Sequence, residues 1–267
     1  MAWKNPWYDS SKAHHTPEGF CSPEPEQRQP GDLQRWRRER KAQGLPHPPQ
    51  QGYAAFTDQW WQPADIRGSD DRIWWLGHAA VLLRLNEQYI LIDPALGSRA
   101  SPFSFAGPQR KTPAPLSIAD LPRLDVVLIS HNHYDHLDRT TVKAIVRRFP
   151  QATFIVPLGL EKWCRARGVK QVHQLDWWQQ FTVGDLCFDA VPARHWSMRT
   201  PRDRNRSLWC GWVVRSASVR FWFSGDSGYS DSLPEIAARL GPFSLAALPI
   251  GAYAPEWFMA GQHMNPD

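Results

Sequence analysis

The sequence predicts a layered mixed α+β domain, and three observations predict it. Short strand-like runs and helical stretches alternate along most of the chain, yet they form no doubly wound βαβ series. No phosphate-cradling glycine loop accompanies them. Of 267 residues, 42% are apolar, enough for the core of one large domain preceded by an irregular arm.

Residues 1–70 hold many of the prolines, as in Pro23-Glu24-Pro25 and Pro46-His47-Pro48-Pro49, and show little apolar periodicity. That composition predicts a Pro-rich N-terminal arm ahead of a folded unit at 71–267. Inside the arm, Gln34-Arg35-Trp36-Arg37-Arg38-Glu39-Arg40-Lys41 reads as a solvated helical face, with phosphate contact as the alternative. From Arg72 the pattern changes. Arg72–Leu76, Ala80–Leu85 and Tyr89–Ile92 read as strands of an antiparallel meander. Asp125–Ile129 reads as a buried strand, Thr140–Phe149 as a helix, and Thr153–Val156 as a strand ended by Pro157. Further strands are expected at Leu186–Val191, Trp209–Arg215 and Val219–Ser224, a helix at Leu233–Leu240, and a last strand at Leu245–Ile250.

Composition excludes some classes of protein. Cys21, Cys164, Cys187 and Cys210 are scattered without a CxxC spacing, and no basic start runs into an apolar stretch, so a reducing, cytoplasmic setting without disulfides is expected. No apolar run approaches the ~18 residues of a membrane span, which leaves peripheral membrane association as the only bilayer contact expected. A net charge of +5 favours anionic substrates or surfaces. The 15 tryptophans suit either core packing or a boundary between water and lipid.

The residues that carry chemistry follow the Asp125–Ile129 strand. His131, His133, Asp135 and His136 crowd into Ser130-His131-Asn132-His133-Tyr134-Asp135-His136-Leu137-Asp138. Imidazole nitrogen and carboxylate oxygen are the donors that zinc and its neighbours prefer. Burying four such groups without a metal or another partner would be costly. Two ions would need more donors, and two later strand ends offer them. His195 stands in Pro192-Ala193-Arg194-His195-Trp196, and Asp226 follows Gly225, where glycine lets the backbone turn tightly. His14, His15, His47 and His173 lack such neighbours and read as ordinary surface or core residues.

Together with that loop, His195 and Gly225-Asp226, several segments resemble the metallo-β-lactamase superfamily, and within it the N-acylphosphatidylethanolamine-hydrolysing phospholipase D branch. They are Trp75-Leu76-Gly77-His78-Ala79, Ile92-Asp93-Pro94, Ser98-Arg99-Ala100-Ser101-Pro102, Val156-Pro157-Leu158-Gly159-Leu160, Leu175-Asp176-Trp177-Trp178 and Pro249-Ile250-Gly251-Ala252-Tyr253, with Lys4-Asn5-Pro6-Trp7 in the arm. The resemblance implies a four-layer αββα sandwich with a dinuclear Zn2+ site at one edge. It places one ion on His131, His133 and His195, the other on Asp135 and His136, and Asp226 between them. It also calls for a later histidine in a histidine-tryptophan-glycine motif, which this sequence does not contain. A domain lacking its last C-terminal elements, with a weakened second site, is therefore expected. His263, in Gln262-His263-Met264-Asn265-Pro266, matches a segment lining the family's substrate cleft. Asp93 is expected to steady a ligand histidine and His78 to lie near the cleft.

The implied reaction is phosphodiester hydrolysis by a hydroxide shared between cations about 3.5–4 Å apart. Asp135, Asp226 and His263 are the residues expected to act in catalysis. The implied substrate is an N-acylated ethanolamine phospholipid, cleaved to an N-acylethanolamine and phosphatidic acid. Trp177, Trp178, Trp257, Phe258 and Met259 could line an acyl-chain groove or sit in the core. A homodimer is left open, and nucleic acid is not an expected partner, because aromatic and basic residues do not interleave. Two alternatives stay open: a sugar lactonase or cyclic phosphodiesterase on the same scaffold, and a catalytically silent interaction protein stabilised by metal.

Overall fold

Valine, leucine and isoleucine fill the strands at 81–85, 88–92 and 126–128 without the polar alternation of a half-exposed sheet, because both faces of these strands are buried in the computed structural model. The structure describes residues 3–25 and 28–266. A hairpin of β1 (His15–Thr16) and β2 (Gly19–Phe20) is followed by helices α1 (Asp32–Ala42) and α2 (Gly52–Trp60). The first large sheet takes β3 (Arg72–Trp75), β4 (Val81–Leu85), β5 (Gln88–Ile92) and β6 (Val126–Leu128); then, across α3 (Arg139–Arg148), β7 (Thr153–Pro157); and, across α4 (Glu161–Arg165), β8 (Gln171–Leu175). β3 to β5 form the antiparallel meander and β5 to β8 run parallel. The second sheet takes β9 (Gln180–Val183), β10 (Leu186–Val191), β11 (Gly211–Arg215) and β12 (Arg220–Phe223), all antiparallel. After α5 (Ser232–Leu240), β13 (Leu245–Ala247) pairs in parallel with β12, and α6 (Glu256–Met259) follows.

The period of two along each strand sorts side chains between layers. Val81, Leu83 and Leu85 of β4, Ile90 and Ile92 of β5, and Val126 and Leu128 of β6 meet Phe188, Trp212, Val214 and Phe223 of the second sheet. Their neighbours Leu82, Leu91 and Val127 point the other way, onto Val142 and Ile145 of α3. On the far side, Val191 and Val213 meet Ile236 of α5. The order is helix, sheet, sheet, helix. The Asp138 side chain caps α3 by accepting from the backbone N–H groups of Thr140 and Thr141, a cap worth roughly 1 kcal/mol.

The Pro-rich stretch is more ordered than its composition implies. Asn5 donates to the carbonyls of Thr16 and Gly19 and closes the hairpin, and the Phe20 amide donates to the Asn205 carbonyl at 2.8 Å. Phe20 enters the inter-sheet core, and a Cβ on Gly19 would stand 2.2 Å from the Asn205 carbonyl oxygen, so the hairpin docks only with glycine there. Two-residue strands held by side chains leave no periodic signal. β8 and β9 escape the sequence reading too, because Gln171, His173, Gln174, Gln180 and Thr182 break their apolar pattern. The last strand is shorter than expected, with Leu248 and Ile250 beyond it and largely exposed.

Trp177 and Trp178 are not groove residues. Trp177 is buried, with Nε1 donating to the Trp209 carbonyl, and Trp178, partly buried, packs against the inter-sheet core and against the Val191, Val213 and Ile236 cluster, with Arg239 over its ring. His14 and His15 are buried around Asp176, which accepts from Lys12 Nζ at 2.5 Å and hydrogen bonds to His14 Nε2 at 2.7 Å and His15 Nε2 at 3.0 Å.

Candidate metal centre

Four strands end at one edge of the sandwich, and each delivers a polar residue there. β5 ends at Ile92 and leads into Asp93, whose backbone is in the left-handed region (φ 44°), a conformation aspartate tolerates better than most residues. β6 delivers Ser130 to His136, β10 leads to His195, and β12 reaches Asp226 through Gly225 (φ 64°). A Cβ at Gly225 would lie 2.9 Å from the Cys210 carbonyl oxygen and 3.0 Å from Ser130 Cβ, so the turn into Asp226 leaves no room for a side chain.

His131, His133, His195 and Asp226 each present a donor atom, and these atoms lie within 4.8 Å of one another. His133 Nδ1 is 2.8 Å from His131 Nε2 and 3.3 Å from His195 Nε2. Asp226 Oδ2 stands 3.2 Å from His136 Nε2, 3.8 Å from His195 Nε2 and 4.0 Å from His131 Nε2. A second group of donors adjoins the first. His78, Asp135 and His136 also converge, with His78 Nε2 2.9 Å and His136 Nε2 3.9 Å from Asp135 Oδ2. His263 completes the edge, with Nδ1 4.0 Å from Asp226 Oδ2.

The outward ring nitrogens are held while the inward ones gather, the arrangement that orients metal-ligating histidines. His131 Nδ1 lies 2.8 Å from Ser130 Oγ, His136 Nδ1 2.7 Å from Asp93 Oδ2, and His195 Nδ1 3.3 Å from the Gln262 carbonyl oxygen. Asp93 is fully buried and also accepts from the Ser130 amide and hydroxyl at 2.7 and 2.5 Å. His133 Nε2 and His136 Nε2 are buried with no hydrogen-bond partner, since Asp226 approaches the latter without the required alignment. His133 presents Nδ1 to the other donors, so of these two nitrogens it is His136 Nε2 that faces the centre, and a buried nitrogen there is costly unless something accepts its lone pair.

Electrostatics favour the same filling. Burial first, and then the neighbouring imidazoles, hold His131 well below the ordinary histidine value; burial likewise depresses His195 despite Asp226, and lowers His133 to about 4. These rings are neutral at pH 7, as ligands must be. Burial opposes the charged form of Asp226 most strongly, yet His136, His195 and His131 together keep it ionised. His136 is the exception. Burial disfavours its cation, but Asp226, Asp135 and Asp93 outweigh that and raise its pKa, so positive charge is wanted where three carboxylates meet. Neutral imidazoles and carboxylates that draw positive charge between them fit divalent cations.

Residues outside the sequence reading steady this loop. Arg199 Nη1 donates to the carbonyls of Asn132 and Leu137, both at 2.7 Å, and its guanidinium lies over Tyr134. Gln262 accepts from Trp196 Nε1 through its side chain while its carbonyl meets His195. Nothing local in the sequence marks Arg199, since its partners lie more than 60 positions away.

Residues 88–267 match the family model described as the beta-lactamase superfamily domain. The N-acyl-phosphatidylethanolamine-hydrolyzing phospholipase D 1 of Caenorhabditis elegans is 44% identical over 206 residues, a match that covers 72% of this chain and 57% of that protein. The mitochondrial N-acyl-phosphatidylethanolamine-hydrolyzing phospholipase D of Saccharomyces cerevisiae is 36% identical over 199 residues, 72% of this chain and 42% of that one. This chain thus spans about half the length of these curated relatives. Among solved structures, CmlA, a diiron beta-hydroxylase from Streptomyces venezuelae, superposes with a TM-score of 0.53 at 25% identity, covering 80% of this chain and 43% of that one.

Proposed function

The chain belongs to the beta-lactamase superfamily, and from that premise we propose that it is a metal-dependent hydrolase of phosphodiesters whose substrate is an N-acylated ethanolamine phospholipid. The observation that carries the proposal is the inward convergence of His131, His133, His195, Asp135, His136 and Asp226, in which the buried His136 Nε2 faces Asp226 without a hydrogen bond. The substrate class is supported by the 44% identity to a protein named for that activity.

His131, His133 and His195 would hold one cation, Asp135 and His136 the other, with Asp226 shared and His78 beside Asp135. Two bound cations supply Lewis acidity, lowering the pKa of water and offsetting charge on phosphoryl oxygens. The protein's own groups do the rest. Asp226, ionised at neutral pH, accepts the proton of the attacking water. His263, held below its ordinary pKa by burial, stands beside Asp226 as a neutral imidazole that can relay that proton to the departing alkoxide. The water oxygen bonds to phosphorus, the bond from phosphorus to the ethanolamine oxygen breaks, and phosphatidic acid and an N-acylethanolamine leave. Trp196 and Met198 wall the cleft and limit access of other water.

Zinc is the proposed metal, because the donors are imidazole nitrogens and carboxylate oxygens with space left for substrate. Among the described residues no helix is long and apolar enough to cross a membrane, so the lipid is proposed to be met at a bilayer surface. The test is release of N-acylethanolamine from vesicles containing N-acylphosphatidylethanolamine by protein loaded separately with zinc, manganese or iron. Turnover with zinc that falls at least 100-fold in Asp226→Asn is expected. Turnover unchanged in that variant, or none with any metal, would reject the proposal.

A further inference from the structure

A cavity of about 650 Å3 opens from His133 and Asp135 toward the 95–112 loop. Three cationic side chains line it: Arg99, Arg110 and Lys111. Their hydrogen-bond and ring partners are neutral, although the Asp138 carboxylate lies close enough to Arg110 to favour its charge. Arg99 Nη1 donates to the Gly107 carbonyl at 2.7 Å, Arg110 Nη2 donates to the Ala95 carbonyl at 2.6 Å, and Lys111 Nζ sits 5.4 Å from the centre of the Tyr53 ring. Among the described residues none of the three has a carboxylate oxygen within 4.0 Å. Two carboxylates do face the cavity. Asp138 is engaged by the first turn of α3 and by the Gly97 amide, and Asp135 belongs to the metal centre. On the other side of Trp196 a smaller cavity of about 290 Å3 reaches His195, with Arg28, Arg194 and Arg204 in its walls and Glu24 as its carboxylate.

This arrangement has a chemical consequence for a phosphodiester substrate. Phosphatidylethanolamine carries an ammonium a few bonds from its phosphate; acylating that nitrogen turns it into a neutral amide and leaves a net anion. A ligand ammonium about 8 Å from a fixed cation loses roughly 2- to 30-fold in affinity for each such neighbour, depending on how much water lies between them. A neutral headgroup pays none of this, and its phosphate is drawn in.

We propose that Arg99, Arg110 and Lys111 make headgroup charge a specificity element, so that the site accepts phosphodiesters whose alcohol bears no cationic group and rejects those with a free ammonium. The proposal rests on the phosphodiesterase reading above and adds to it the basis on which substrates are told apart. Acylation would then matter for the charge it removes as well as for the chain it adds.

Three soluble probes separate these effects: glycerophosphoethanolamine, glycerophospho-N-acetylethanolamine and glycerophosphoglycerol. Their dissociation constants are measured by calorimetry on zinc-loaded protein at low salt, beside turnover of the corresponding diacyl lipids. The expected result is that both uncharged headgroups bind at least tenfold more tightly than glycerophosphoethanolamine. The preference should shrink several-fold in Arg99→Glu and in Lys111→Glu, and also in high salt, while both variants keep wild-type melting temperature and metal content. Glycerophosphoglycerol binding as poorly as glycerophosphoethanolamine would show that the acyl group rather than charge is read, and would overturn the proposal. A preference unchanged in the Arg99→Glu, Lys111→Glu double variant would overturn it too, with the phosphodiesterase reading intact. If no lipid is hydrolysed, that reading fails, and the binding constants still decide whether the cavity sorts by charge.

Discussion

Replacing Asp93 by alanine should loosen the protein and its metal centre together. The carboxylate is fully buried and takes three hydrogen bonds, from the Ser130 amide at 2.7 Å, the Ser130 hydroxyl at 2.5 Å and His136 Nδ1 at 2.7 Å. Alanine leaves the amide and the imidazole buried without acceptors, at roughly 1–3 kcal/mol each, so the metal-free protein should lose about 3–5 kcal/mol. For a chain of this size that is a fall in melting temperature on the order of 10 °C. His136 would also lose the partner that aims its other nitrogen at Asp226, and metal affinity should drop roughly 10- to 100-fold. Asp93→Asn is the informative control. Asparagine tolerates the left-handed backbone and can still accept from the Ser130 amide, so it should recover much of the stability but little of the metal affinity. Scanning calorimetry in chelator, followed by competition for metal with an indicator dye, measures both effects. An Asp93→Ala protein with wild-type melting and wild-type metal affinity would refute the reasoning.

Asp176→Ala should cost roughly 2–4 kcal/mol near pH 7, because His14 and His15 lose their buried acceptor while Lys12 can turn to solvent. Burial disfavours the Asp176 anion most, yet hydrogen bonds from His14 and Lys12 and the nearby histidine charges hold its pKa below the usual range; its stabilisation is therefore present above about pH 4 and lost as pH falls through the folded pKa. Denaturant titrations should accordingly show the difference between variant and wild type shrinking below about pH 4. His15, lowered by burial, makes the wild type itself lose stability from about pH 6.5 downward, since the unfolded chain takes up a proton that the folded one resists. Gly225→Ala should misplace Asp226, because its Cβ would press on the Cys210 carbonyl and the backbone is left-handed there. Metal binding measured by calorimetry should weaken at least tenfold, and an unchanged affinity would show that the turn can yield.

What could be read from the sequence divides along a physical line. Leu82, Leu83, Ile90, Leu91 and Ile92 lie in strands buried on both faces, so the apolar runs marked the first sheet, apart from β8, with bounds close to those observed. A layered mixed fold followed from those runs, whereas the four-layer αββα order came from the family resemblance, and the parallel β6–α3–β7–α4–β8 crossovers went unread. The grouping of His131, His133, Asp135 and His136 was legible because one loop carries all four, whereas His195 and Asp226 were candidates by their strand-end positions and were assigned to particular ions through the family resemblance. Long-range partners stayed hidden. The hairpin at His15–Phe20 is held by Asn5 and by Asn205, nearly 190 positions away from Phe20, and no periodicity encodes such contacts. Gln262 and Arg199 act through backbone carbonyls and side-chain stacking, where residue type alone says little. The tryptophans show the same limit. Trp177 turned inward to bond the Trp209 carbonyl, while Trp257 and Phe258 line the smaller cavity beside His195.

Metal content per chain decides whether the six converging donors act as two ligand sets. Protein stripped with chelator, reloaded with zinc, desalted and analysed by plasma mass spectrometry should carry two ions per chain. His195→Ala and Asp135→Asn should each lose about one, and Asp226→Asn should lose affinity at both sites. Wild-type protein that binds no metal, or variants that keep the full complement, would mean that the histidines and carboxylates gathered at this sheet edge are not ligands.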